Sequence, residues 1–137
     1  MSQKSNIIVK YDKFYVDDVG KNIPDLLAGI DYDDLSITSY WEGTIDAFFK
    51  CDCDFYFTCI HGDLRIITAN EQGSNNYKFG QYFISGLDGK IIKVPAETWF
   101  GTHNLGTGQA INLVAKVGDF DGFDKLTSKI FNWYSKK

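Results

Sequence analysis

From Phe49 to Ile60 the chain alternates apolar and polar side chains with a period of two. Phe49, Cys51, Cys53, Phe55, Phe57 and Cys59 share one face, while Lys50, Asp52, Asp54, Tyr56 and Thr58 share the other. Successive side chains of a strand point to opposite sides, so this run predicts a strand with one face on a core. Shorter runs repeat the signal. Ile7 to Lys10, Phe14 to Val16, Leu35 to Trp41, Leu64 to Thr68, Tyr82 to Ser85, Ile91 to Val94 and Ala110 to Val117 read as strands. Between them lie turn-forming clusters, at Asp17-Asp18-Val19-Gly20, His61-Gly62-Asp63 and Gly86-Leu87-Asp88-Gly89, and a polar loop from Asn70 to Asn76. Ile23 to Leu27 reads as a short helix or as irregular chain. Only the tail changes period: Phe123, Leu126, Ile130, Phe131 and Tyr134 fall at helical spacing ahead of Lys136 and Lys137, which predicts a short C-terminal helix.

No internal repeat or linker interrupts this pattern, and 137 residues suit one domain with a real core, so residues 1–137 are expected to form a single antiparallel sandwich or barrel. A net charge of -4 with scattered lysines argues against a nucleic-acid partner, since phosphate binding needs a basic surface. No apolar run approaches the roughly 18 residues that span a bilayer, and Met1 to Lys10 lacks the apolar core of a signal peptide. No membrane association and a cytoplasmic location are therefore expected. Three cysteines between positions 51 and 59 are too few, too local and odd in number for a disulfide framework.

Two stretches carry a longer-range pattern. Gly43, Phe49, Cys51, Phe55 and Gly62 follow the spacing G-x5-H-x-H-x3-E-x6-G, and Gly89, Pro95, Glu97, Phe100 and Asn104 follow G-x5-P-x-G-x2-H-x3-N. These are the two cupin motifs, so the chain resembles a cupin whose metal-ligand positions hold other residues. Within that superfamily it looks like the branch of dTDP-4-dehydrorhamnose 3,5-epimerases and nucleotide-sugar 3,4-ketoisomerases. Gly43-Thr44-Ile45-Asp46-Ala47-Phe48-Phe49 stands where the epimerases have G-V-L-R-G-L-H, and Pro95 to Gly101 resembles P-x-G-x-x-H-G. Gly80 to Pro95 is similar to their segment ending in L-S-x-x-N and I-P, and Asp17 to Gly20 to their early D-x-R-G. The resemblance covers roughly residues 14 to 118 and implies an all-β double-stranded β-helix, the cupin jelly roll, pairing as a homodimer. It also implies a sugar or nucleotide-sugar ligand and a link to cell-surface polysaccharide synthesis.

The departures fall on the chemistry. Removing a carbon-bound proton beside a ketone needs a base, and histidine suits that task near neutral pH. Phe49 and Phe100 stand at the two histidine positions, Asp46 stands where the epimerases have an arginine, and Asn112 falls near their tyrosine. A ketoisomerase-like alignment, shifted by one, places Phe48 and Lys50 in the histidine positions instead. Neither register supplies a histidine, so no metal, no cofactor and no 3,5-epimerase activity are expected. Phe49, Cys51, Phe55, Phe57, Phe100, Asn104 and Asn112 are expected to line the pocket or, if the aromatics are large enough, to fill it.

Other candidates each have a structural alternative. His103 follows Phe100 by three residues as a second histidine does in some ketoisomerase-like cupins, yet strand parity points it away from the barrel. With Tyr40 and Tyr56 it completes the candidates for relocated catalysis. Lys50 is a base only if buried, and its polar-faced neighbours suggest that it is solvated. Cys51, Cys53, Cys59 and His61 spread too far along a strand, at about 3.3 Å per residue, for one tetrahedral metal site. Trp41 and Trp99 can stack on a sugar or pack between sheets. Glu97 replaces a turn glycine of the motif, and the aspartates at 12, 17, 18, 31, 33 and 34 lack calcium-loop spacing. Two functional classes remain: a sugar-nucleotide epimerase or isomerase, and a non-catalytic cupin that binds a sugar, a nucleotide sugar or a partner protein.

Overall fold

The computed structural model describes residues 7–11, 15–17, 20–22, 27 and 29–134. Its strands in chain order are β1 (Ile8–Tyr11), β2 (Tyr15–Asp17), β3 (Gly20–Asn22), β4 (Asp34–Tyr40), β5 (Ile45–Lys50) and β6 (Asp54–His61). They continue as β7 (Asp63–Gly73), β8 (Asn76–Ser85), β9 (Lys90–Val94), β10 (Trp99–Asn104), β11 (Ala110–Val117) and β12 (Asp124–Lys125). One sheet runs β1-β9-β6-β11-β4 and the other β12-β5-β10-β7-β8, with β2 and β3 as a separate hairpin. From β4 to β11 the chain passes back and forth between the sheets, changing sheet at each step except the β7–β8 hairpin, and the pairs within both large sheets are antiparallel. That winding is the jelly roll expected from the sequence.

The long alternating run is two strands. β5 ends at Lys50 in one sheet and β6 begins at Asp54 in the other, with Cys51-Asp52-Cys53 as the corner. Both strands turn their apolar faces to the same core, so the period of two passes through the corner unbroken. The corner is fastened by the turn before β10: Glu97 N–H donates to the Cys51 carbonyl at 2.8 Å, and Ala96 N–H to Asp54 Oδ1 at 2.8 Å. The expected polar loop at Asn70 to Asn76 is instead mostly strand, because β7 and β8 project as a hairpin whose exposed ladder tolerates polar side chains.

The tail makes a single 3-10 turn, Ser128–Ile130, capped by the Thr127 hydroxyl, which accepts from Lys129 N–H at 3.2 Å. Its apolar residues serve two different surfaces rather than one helix face. Phe123 enters the space between the sheets, while Leu126, Ile130, Phe131 and Trp133 pack on the outer face of the β5 sheet. Residues 18–19 of the expected turn and 23–26 of the expected short helix lie outside the described residues.

Candidate functional site

The core between the sheets closes around Leu64, Ile66, Ile84, Ile92 and Val94 but leaves a cavity of about 180 Å³ at one end. One wall is aromatic: Phe49 from β5, Phe55 and Phe57 from β6, Phe100 from β10 and Phe123 from the tail. These rings support one another, with centroids 5.1 Å apart for Phe55 and Phe100, 5.1 Å for Phe49 and Phe123, and 5.6 Å for Phe57 and Phe100. The rest of the lining is mostly polar, with Ser36, Thr38 and Tyr40 from β4, Asp46 from β5, Thr102 from β10 and Lys116 from β11 beside Val114.

Strand parity explains most of this lining and a bulge explains the rest. Ser36, Thr38 and Tyr40 are alternate residues that face inward, which leaves Leu35 and Ile37 exposed on the outside. Asp46 and Phe49 have opposite parity yet both reach the cavity. Between the pairs Phe100 with Phe49 and Thr102 with Asp46 the register shifts, because β5 spends three residues where β10 spends two. The extra residue turns Phe48 outward and brings Asp46 and Phe49 both inward. Gly101 makes the bulge possible: a Cβ there would lie 2.2 Å from the Ala47 Cβ.

The electrostatics of the polar wall are those of a partly dried site. Burial raises the Tyr40 hydroxyl above its ordinary pKa; a hydrogen bond shared with Thr102 opposes this and the nearby Asp46 charge adds to it. Burial also raises the Asp46 carboxyl, opposed by the Lys125 ammonium. Lys116 stands at the rim with its Nζ 4.3 Å from the Phe120 ring centroid and 3.6 Å from Asp34 Oδ2. Beyond Phe123 a shallow recess is lined by Asp52, Glu97, Asp121 and Asp124 against Lys50, so the surface beside the mouth is acidic.

Of the pocket residues expected from the sequence, Phe49, Phe55, Phe57 and Phe100 lie in the cavity wall. Three others are placed elsewhere. Cys51 sits at the β5–β6 corner and borders the acidic recess instead. Asn104 is a fastener, its Nδ2 donating to the carbonyls of Tyr40, Trp41 and Gly108 at 3.2, 3.0 and 2.9 Å. Asn112 is fully buried in β11 opposite Thr38 and Cys59, with neither amide atom hydrogen-bonded within the described residues, and does not border the cavity.

The catalytic candidates divide as well. Tyr40 is in the cavity, whereas Tyr56 packs on the outer face of β6 with the cluster of Leu27, Ile91 and Ala115. His103 points away from the barrel, as its parity implies, and its Nδ1 lies 2.8 Å from Arg65 Nη2. Lys50 has its Nζ 4.7 Å from the Trp99 ring centroid, at the edge of the recess rather than in the cavity. Trp41 is 77% exposed and borders no part of the cavity. Glu97 keeps a left-handed φ of +64°, the conformation that the motif's glycine supplies.

Asp46, Thr102, Ser36, Thr38 and Phe123 were not singled out as pocket residues from the sequence. The alternation of β4 offers two of them, Ser36 and Thr38, as one face of that strand.

A cupin metal does not fit here. The motif positions hold Phe49, Cys51, Phe55 and Phe100, and among the described residues no three His, Cys, Asp or Glu side chains converge on a point that could hold an ion. Burial holds the thiols of Cys51 and Cys59 up at about 11 and raises that of Cys53, so all three are protonated near neutral pH and poor ligands or nucleophiles.

No protein-family model and no curated protein matches this sequence. Solved structures do match its fold. A dTDP sugar isomerase from Desulfovibrio desulfuricans G20 superposes with a TM-score of 0.77 at 10% identity, over 96% of this chain and 92% of that one. NovW, a 4-keto-6-deoxy sugar epimerase from the novobiocin gene cluster of Streptomyces spheroides, gives 0.77 at 11% identity over 99% and 83%. A mutant of the 3,4-ketoisomerase QdtA from Thermoanaerobacterium thermosaccharolyticum, solved with TDP-4-keto-6-deoxyglucose, gives 0.69 at 11% identity over 87% and 85%. The chain therefore has the cupin jelly-roll fold that these sugar epimerases and isomerases share.

Proposed function

We propose that this chain is an epimerase- or isomerase-like cupin that takes the sugar ring of a keto-sugar or nucleotide sugar into the cavity without a metal ion. The observation that carries the reading is the mixed lining of the cavity. Five phenylalanines share it with Ser36, Thr38, Tyr40, Asp46 and Thr102, which suits a ring with an apolar face and a hydroxylated edge. Size narrows the ligand: about 180 Å³ falls below the roughly 300–1,000 Å³ of sites that enclose drug-sized molecules, so a nucleotide would remain outside.

A role in cell-surface polysaccharide synthesis is proposed from the likeness to sugar epimerases and isomerases, with a cytoplasmic location as the accompanying expectation. A homodimer is proposed with it, favoured by the exposed Leu35 and Ile37 on edge strand β4 as an apolar pairing surface. Sedimentation as a monomer at micromolar concentration would contradict the dimer.

The second reading, a non-catalytic sugar-binding cupin, is favoured by the phenylalanines at the two histidine positions, Phe49 and Phe100. Calorimetric titration with TDP-4-keto-6-deoxyglucose and with TDP alone tests what the two readings share. Sugar in the cavity should make the conjugate bind at least about tenfold tighter than TDP, a difference of about 1.4 kcal/mol. Equal affinity would show that the sugar contributes nothing and would remove the reading.

A further inference from the structure

The polar wall of the cavity holds a carboxylate and a phenol that share one neighbour. Thr102 pairs in register with Asp46 across β5 and β10, and it lies close enough to Tyr40 of β4 to lower that phenol's pKa. Three strands thus bring Asp46, Thr102 and Tyr40 into one cavity with the rings of Phe49, Phe55 and Phe100. The β5 bulge is what places Asp46 among the cavity-lining residues, at the solvent-exposed mouth.

We infer that Asp46 and Tyr40 form an acid–base pair that enolises a ketone held against the phenylalanine wall, with a carboxylate as the base where histidine is missing. The inference rests on the reading of the cavity as a keto-sugar site. In the forward step the Asp46 carboxylate takes the proton from the carbon next to the ketone. The electrons of that C–H bond become the C=C bond, and the π pair of the carbonyl moves onto its oxygen. Tyr40 donates its O–H hydrogen bond to the resulting enolate oxygen, while Thr102 holds the phenol in place. Return of the proton from Asp46 restores the ketone on the original face, and a proton taken from solvent restores it on the other once Asp46 gives up its own to water. Atoms and oxidation state balance without a metal or a co-reactant, and return to the opposite face is an epimerisation.

The surroundings suit both roles. An aspartate at its ordinary pKa is a weak base toward a carbon acid, and burial moves Asp46 upward, toward the range in which a base works at neutral pH. Tyr40 is 8% exposed and raised by burial, so it stays protonated and able to donate. The Lys125 ammonium opposes the upward shift of Asp46, and Lys116 is the basic side chain among the cavity-lining residues.

Deuterium incorporation from D2O into TDP-4-keto-6-deoxyglucose, followed by mass spectrometry beside calorimetric binding, tests the pair. The native protein should introduce deuterium next to the ketone faster than buffer does. Asp46→Asn should bind the sugar conjugate within a few-fold of the native protein and lose about 10²–10⁴-fold in exchange rate, while Asp46→Glu recovers part of it. Tyr40→Phe should lose about 10²–10³-fold, again in rate rather than in affinity.

Asp46 lies at the cavity mouth and its side chain is exposed, so the Asp46→Asn protein should melt like the native one; circular dichroism checks this. Binding of the conjugate without exchange, or undiminished exchange by Asp46→Asn, overturns the pair and leaves the sugar site standing. Failure of the native protein to bind the conjugate more tightly than TDP overturns both.

Discussion

Phe48 and Phe49 are neighbours on β5 that serve opposite faces of one sheet, and the two faces have been used in opposite ways. On the outer side Phe48 is fully buried with Ile67, Ala69 and Trp133, its ring centroid 5.5 Å from that of Trp133, in a cluster covered by the tail. On the inner side Phe49 stands in the wall of an open cavity with Phe100 and Phe123. Both clusters are rich in aromatic rings, but only the inner one faces a wall of hydroxyls and a carboxylate. Aromatic content alone therefore does not mark a site. What marks it is a polar lining that the packing does not consume.

The sharpest way to break this contrast is to truncate each ring in turn. Phe48→Ala removes a fully buried side chain and should destabilise the fold by about 3–5 kcal/mol. Phe49→Ala enlarges a cavity already present and loses partly exposed area, so about 1–2 kcal/mol is expected. Chemical denaturation of both variants measures the difference. Equal losses would mean that the inner wall is ordinary core and that the cavity closes in solution.

A titration sharpens the same comparison from the outer side. Arg65 is 8% exposed, and its guanidinium is committed to Gln81 Oε1 at 3.2 Å, the Trp133 carbonyl at 2.7 Å and His103 Nδ1 at 2.8 Å. Because arginine can only donate, Nδ1 must accept and the histidine is neutral with its proton on Nε2. Burial, and then the Arg65 charge, lower the His103 pKa from its usual value. Lowering a base's pKa on folding means that the unfolded chain binds the extra proton more readily.

The stability due to neutral His103 is therefore complete above the unfolded pKa near 6.5 and is lost as pH falls from there through the lowered folded value. Thermal melts between pH 7.5 and 5 should show this loss. His103→Gln, whose Oε1 can still accept from Arg65, should flatten the dependence over that window. An unchanged pH profile in the variant would place the titrating group elsewhere.

The sequence made the fold legible because its signals are local. Period two marked β4, β9 and β11 almost to the residue, and the motif spacings fixed which strands turn where. What period two cannot report is a change of sheet, so β5 and β6 merged into one strand. Nor can it report a bulge, which reverses parity for part of a strand and hid Asp46. The tail misled for a related reason. Phe123, Leu126 and Phe131 match helical spacing although they pack on two sides of a sheet, and pairing of β12 with β5, backed by Leu126 exchanging hydrogen bonds of 2.9 and 3.0 Å with Phe48, outweighs local helix propensity. Asn104 and Asn112 were placed by motif position or loose alignment, and neither says whether an inward residue meets a cavity or a loop that needs fastening.

Phe123 joins the two regions, since the same tail that covers the outer cluster also supplies this ring to the cavity wall. It is 36% exposed, and its ring lies 5.1 Å from that of Phe49, 5.7 Å from Phe55 and 4.8 Å from Phe120. Truncation to alanine should cost less than either substitution on β5, about 1 kcal/mol, because much of the ring's area already faces water. Its effect on binding has a definite sign under each use of the cavity. A ring that merely narrows the mouth slows entry, so Phe123→Ala should speed association with TDP-4-keto-6-deoxyglucose and leave dissociation unchanged. A ring that stacks on the bound sugar slows departure, so the same change should speed dissociation. The wall geometry favours the second outcome, because Phe123 extends the surface of Phe49 and Phe55 rather than standing apart from it. Stopped-flow measurement of both rates decides between them, and a variant altered in neither rate would remove Phe123 from the site.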